Sequence, residues 1–203
     1  MIFKTYKEIS KCTQNCLSNN CCYVQQESTT LHSASNSLDQ GIDFDYIVKT
    51  YFSNRRICSK HKLTPKSVDS ILFNNKISSK SLLFLIEFKH INLKNLKIEN
   101  LVIKIRDSVC YLAVLINLLL TNEIIFYFVY KSRISRPAND SFKANHICNI
   151  LEEKLNKFFT IENIEFKAKA MSFESFDKKT NTLFILDKFN ENINFYDFCL
   201  FNS

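Results

Sequence analysis

The sequence predicts a mixed α/β domain, with a mixed central sheet and flanking helices, and three observations carry that expectation. Apolar residues make up 46% of 203, and aromatics 13%, enough for a sizeable core in one domain. Short runs with strand character (68–73, 82–91, 124–130, 164–171) alternate with longer runs of helical period (from about 99 or 106 to 120, and 142–159). A single glycine, Gly41, excludes a phosphate-cradling P-loop, a dinucleotide fingerprint and a nucleophile elbow, each of which needs several.

Residues 1–40 form a polar, Cys-rich N-terminal segment, either separate from the core or part of it, and 41–203 form the single α/β domain. Residues 29–39 carry almost no apolar side chain and read as a loop. From Asp43 to Cys58 the signal is double. Phe44, Ile47, Val48, Tyr51 and Phe52 have helical spacing, while the Tyr, Ile, Val and Thr content favours a strand. Pro65 marks a turn, Val68–Phe73 reads as a strand, and a polar connection leads to the strand Leu82–Ile91. There Phe84, Ile86 and Phe88 share one face, and Leu83, Leu85, Glu87 and Lys89 share the other.

A buried helix should follow, opening near Glu99 or Arg106 and ending at Leu120, with a turn at Thr121–Glu123 and a strand over Ile124–Tyr130. The apolar stretch 109–130 invites a membrane reading, but Asn117, Thr121, Asn122 and Glu123 interrupt it and the pieces on either side are too short to span. Phe142–Phe159 is an amphipathic helix with Asp140 or Ser141 as N-cap and a stripe of Ile147, Ile150, Leu151, Leu155 and Phe158. Strands over Ile164–Met171 and Thr182–Leu186 and a Phe-rich tail complete the chain.

The net charge of +7 is concentrated: residues 41–110 hold thirteen basic and six acidic side chains, whereas 1–40 and 111–203 are each balanced. Lysine is common throughout, so a solvated surface is the plain reading, and affinity for a polyanion is the functional one. Eight cysteines in a chain that can build a core, with no apolar leader in residues 1–11, point to free thiols in a reducing cytoplasm. Cys12, Cys16, Cys21 and Cys22, even with Cys58 and His61, lack the spacing of a zinc knuckle. His32, His61, His90 and His146 have no nucleophile at a telling distance, although His90 follows the second strand closely enough to contact a substrate.

One constellation has chemical content. Asp69 near the start of one strand and Glu87 near the end of its partner place two carboxylates on neighbouring strands, where they can share a hard divalent cation, with the Phe88 carbonyl as a further ligand. Lys89, on the same face as Glu87, can position a water or stabilise charge on a phosphate. Asp69, then Glu87-Phe88-Lys89 on a paired strand, resembles the PD-(D/E)XK nuclease superfamily, over roughly Asp43 to Tyr130.

The resemblance implies a restriction-endonuclease-like core, in which a first helix supplies an acid and a three-stranded meander carries the Asp and the Glu-x-Lys. A helix and a fourth strand follow. It implies a cytoplasmic nuclease using Mg²⁺ or Mn²⁺, with Asp69 and Glu87 as metal ligands and Lys89 serving the attacking water. Asp45 is the first choice for the helix acid, then Asp43, then Glu27; if 44–52 is a strand, the helix lies within 1–27. Arg55, Arg56, Lys60, Lys62, Lys104 and Arg106 are the expected backbone contacts, with DNA ahead of RNA. A membrane partner is not expected, and the oligomeric state is open, a homodimer included. Val68 stands where the family has proline. Glu152–Lys154 and Glu165–Lys167 repeat the tripeptide without a paired Asp-bearing strand upstream. The alternatives are a non-catalytic nucleic-acid-binding or interaction module on the same fold, and a membrane-associated protein anchored by 109–130.

Overall fold

A computed structural model describes residues 3–9, 40–53, 66–74, 81–89, 93–116, 121–131, 137–159 and 163–183. The elements are β1 (Phe3–Thr5), α1 (Tyr6–Ile9), β2 (Gln40–Asp43), α2 (Phe44–Ser53), β3 (Ser70–Asn74) and β4 (Ser81–Lys89). After a 3-10 turn at Leu93–Asn95 come α3 (Ile98–Ile116), β5 (Thr121–Tyr130), α4 (Pro137–Phe159), β6 (Glu165–Ser172) and α5 (Phe173–Leu183). Among the described residues six strands lie in sequence order, antiparallel from β1 to β4 and parallel from β4 to β6. Each parallel step is made by a helix, α3 and then α4.

Both faces of the sheet are covered, which explains the nearly continuous apolar sequence of its central strands. On one face Leu83, Leu85, Ile124, Phe126 and Phe128 pack with Phe44 and Val48 of α2, Leu101, Ile105 and Leu112 of α3, and Ile147, Leu151 and Leu155 of α4. On the other, Phe84, Ile86, Phe88, Ile125, Tyr127 and Val129 pack with Phe173 and Phe176 of α5. The alternation expected for the Glu87 strand therefore holds. The segment 109–130 is divided between the end of α3 and β5, and among the described residues no helix is long and apolar enough to cross a membrane.

Several boundaries differ from the sequence expectation for identifiable reasons. Within Asp43–Cys58 the helical option holds over Phe44–Ser53: β2 ends at Asp43, whose Oδ1 accepts from the Tyr46 N–H at 3.0 Å and caps α2, and 54–58 lie outside the described residues. Helix α2 thus lies between the first and second strands of the β2–β3–β4 meander, not ahead of it. Helix α3 opens at Ile98, so Arg106 lies inside it. Thr121–Glu123 is no turn but the start of β5, because Glu123 finds Lys167 of neighbouring β6 at 2.7 Å. Asp140 and Ser141 lie inside α4, which begins at Pro137, whose missing N–H costs nothing in a first helical turn. On α4 it is Phe159, not Phe158, that enters the core. Thr182 and Leu183 end α5 in place of the expected strand, and residues 184–186 and the tail fall outside the described residues. The short β1, which the polar N-terminal composition concealed, adds an edge strand beside β2.

Candidate functional site

The site forms where β3 begins and β4 ends. Their register pairs Ser70 with Ile86 and Ile71 with Leu85, so one step further sets Asp69 against Glu87. Three contacts fix the backbone around Asp69. Its carbonyl accepts from Phe44 N–H at 3.2 Å, the preceding Val68 N–H donates to Ser108 Oγ of α3 at 2.9 Å, and Ser70 Oγ donates to the Ile42 carbonyl at 2.8 Å. The Asp69 side chain then takes the Phe88 N–H on Oδ2 at 2.7 Å. Phe88 thus joins the site through its N–H and not through the carbonyl expected as a ligand, while its ring leaves through the opposite face to meet Phe176 edge-on at 5.3 Å.

Glu87 is fully buried on the α3 side of the sheet. Its Oε1 receives two ammonium groups, Lys89 of the same strand and Lys104 of α3, the latter at 2.7 Å. Lys104 Nζ also lies 3.7 Å from Asp69 Oδ1, so one cation touches both carboxylates. Asp45, in the first turn of α2, stands at the margin: its Oδ1 accepts from Ser67 Oγ at 2.9 Å, it pairs with Lys49, and its charge is felt at Lys104.

The electrostatics separate the two central acids. Burial and then the negative charge of Glu87 push the Asp69 carboxyl up to about 6, against the pull of Lys104 and Lys89. Burial would raise Glu87 as well, but Lys104 and Lys89 outweigh it and hold the carboxyl below its ordinary value. Lys104 is pushed above the usual lysine range because Glu87 and Asp69 overcome its burial. Two acids side by side, one holding its proton toward neutral pH and the other ionised, is a division met at functional sites.

Whether a divalent cation suits these residues turns on Glu87 Oε2, which is buried and has no hydrogen-bond partner. A buried carboxylate oxygen without a partner is uncommon, and a hard cation or its water would satisfy it. Among the described residues no three His, Cys, Asp or Glu side chains gather as a ready-made ligand cluster. What is gathered is a two-carboxylate donor set, and Mg²⁺ commonly takes one or two carboxylates and keeps several waters. The residues fit on that basis.

Of the other site residues expected from sequence, Lys104 belongs to the carboxylate cluster, and Arg106 places its guanidinium 4.5 Å above the Phe158 ring on α4. Arg55, Arg56, Lys60, Lys62, His90, Glu27 and all the cysteines but Cys110 and Cys148 fall outside the described residues. Asp43 is occupied as the α2 cap. The competing tripeptides acquire structural roles: Glu152 accepts from the Ala168 N–H at 2.7 Å, and Lys167 bridges Glu165 at 3.0 Å and Glu123 at 2.7 Å. Sequence reasoning missed Ser67, Ser70 and Ser108, all buried, which hold the Asp69 segment in place. Only Ser108 left a trace, standing one helical turn after Lys104 on the same face of α3. Comparison with family models, with curated proteins and with solved structures gives no match.

Proposed function

We propose that this cluster is a metal-dependent phosphodiesterase centre, and that the protein is a nuclease acting on DNA ahead of RNA. The observation that carries the reading is the convergence of Asp69 and Glu87 on one cation position beside Lys89, with Glu87 Oε2 buried and unsatisfied. Asp69 and Glu87 would hold Mg²⁺ or Mn²⁺, and Asp45, whose charge is felt at Lys104, is the third acid of the reading. Such a cation supplies Lewis acidity toward a phosphoryl oxygen and a water acidified for attack.

The chain's own groups do the rest. Phe88 N–H and the clamped backbone hold the Asp69 carboxylate against Glu87. Lys89, attached to the strand that carries Glu87, orients the water and neutralises charge that develops on the phosphate. The basic excess of residues 41–110 would hold the polyanionic backbone. The reading extends the PD-(D/E)XK resemblance to a meander followed by a helix and a parallel strand, and it places the protein in a reducing cytoplasm.

Cleavage of supercoiled plasmid, single-stranded DNA and RNA in EDTA, Mg²⁺ and Mn²⁺ tests it. Metal-dependent cleavage lost in Asp69→Ala and Lys89→Ala is the expected result. Cleavage that survives both substitutions refutes the site. Nucleic-acid binding without cleavage in any condition replaces it with the non-catalytic module.

A further inference from the structure

The charge count within the cluster is closed before any metal arrives. Glu87 and Asp69 contribute two carboxylates, and Lys89 and Lys104 two ammonium groups. The two lysines are held differently. Lys89 is carried by β4 two residues after Glu87, so strand alternation keeps it beside that carboxylate whatever else occupies the site. Lys104 reaches across from α3, and of the two ammonium groups it is the one in ion-pair contact with both Glu87 and Asp69. It stands between the two carboxylates, where a shared cation would have to sit, while Oε2 of Glu87 remains without a partner.

We propose that Lys104 is the resident counter-ion of the Asp69–Glu87 pair and competes with a divalent cation for it, so that metal binding turns this ammonium out toward the phosphates of the substrate. The inference rests on the metal-site reading above and deepens it. Adding two positive charges to a partly buried cluster already at balance is opposed by Coulomb repulsion, and the repulsion falls most on the cation sharing both ligands. A four-carbon stem lets Lys104 leave without disturbing α3, and its side chain is 25% exposed, so a path to solvent exists. An ammonium released beside the metal meets the one part of a nucleic acid that carries negative charge. Lys104 thereby joins two roles: it keeps the carboxylates together in the free protein, and it contacts phosphate only once the metal is bound. Its effect on metal affinity is separable from turnover.

The test is Mn²⁺ binding by calorimetry to the wild type, Lys104→Met, Lys104→Arg and Lys104→Met/Glu87→Gln, all without nucleic acid. Lys104→Met should bind Mn²⁺ about tenfold more tightly or better, as expected when a charge-assisted hydrogen bond no longer competes. Lys104→Arg, which keeps the charge, should stay near the wild type, and the double variant should lose the gain. Wild-type binding equal to that of Lys104→Met overturns the inference and leaves the metal site standing; no binding in either overturns both. If Lys104→Met does not fold, ¹⁵N spectra of the wild-type lysine ammonium groups decide the matter. The Lys104 signal should shift as Mg²⁺ is added, and its constancy at saturating Mg²⁺ would refute the displacement.

Discussion

Asp69→Asn should make the protein more stable at neutral pH, and the gain should disappear in acid. The folded structure pushes this carboxyl from 3.8 to about 6, chiefly by burial and by the charge of Glu87. Between about pH 4 and 6 the folded state therefore holds more protons at Asp69 than the unfolded state does, so stability falls as pH rises through that window. A shift of roughly two units corresponds to about 3 kcal/mol at pH 7. Asparagine is nearly isosteric, and its Oδ1 can still accept from Phe88 N–H, so that hydrogen bond is retained. That figure is already net of the attraction to Lys104, which at 3.7 Å is the weaker of that lysine's two contacts.

The expected net gain is about 1–3 kcal/mol at pH 7, shrinking toward zero below pH 4. Glu87 works in the opposite sense, its lowered carboxyl stabilising the fold above its unfolded value and losing that contribution in acid. Subtracting the wild-type profile from the Asp69→Asn profile removes what the two proteins share, and the remainder includes the relief of Glu87 from the charge of Asp69. Urea unfolding from pH 3.5 to 8 with matched m-values measures the difference. A variant less stable than the wild type at pH 7, or a difference constant across pH, would refute the electrostatic account of the site.

Further outcomes follow from other contacts. Ser108→Ala leaves the buried Val68 N–H without its acceptor and should cost about 1–3 kcal/mol in urea unfolding; a change under a few tenths would show that the hydroxyl does not hold the Asp69 segment. Asn156 both donates to the Phe166 carbonyl and accepts from its N–H at 3.0 Å, and Glu152 accepts from Ala168 N–H, so α4 occupies backbone groups of β6 that β5 does not pair. The Glu152→Ala/Asn156→Ala variant should therefore associate or aggregate where the wild type does not, read by light scattering, and unchanged mass would contradict this. Burial pushes the Cys148 thiol up to about 12, so at pH 8 iodoacetamide should label exposed Cys110 well before Cys148 in peptide mapping. Equal rates would contradict the packing of α4.

Much of the fold was legible because period carries it. The alternation through 82–89 separated Phe84, Ile86 and Phe88 from Leu83, Leu85 and Glu87, and the two faces pack into different cores. What local sequence could not show depended on partners distant in the chain. Glu123 looks like a turn residue until Lys167, 44 positions on, is placed beside it in the neighbouring strand. The polar sequence of α5 gives little helical signal, and the element is held by Phe173 and Phe176 against the far face of the sheet. The Asp69–Glu87 pairing was readable from strand order and spacing. The part played by Lys104 was not, since nothing in a lysine-rich sequence separates it from a surface lysine before α3 is laid across β4. The three Glu-x-Lys tripeptides were likewise separated by their neighbours in space: one beside a second carboxylate, one fastening a strand edge, one on the surface.

The central claim is that Asp69 and Glu87 hold a divalent cation, and anomalous scattering from a crystal equilibrated with Mn²⁺ tests it most directly. A peak within about 2–2.6 Å of carboxylate oxygens from both residues, with Glu87 Oε2 among them, is the predicted result. Full exposure to Mn²⁺ with no peak at the pair, and Lys104 still in contact with both carboxylates, would contradict it.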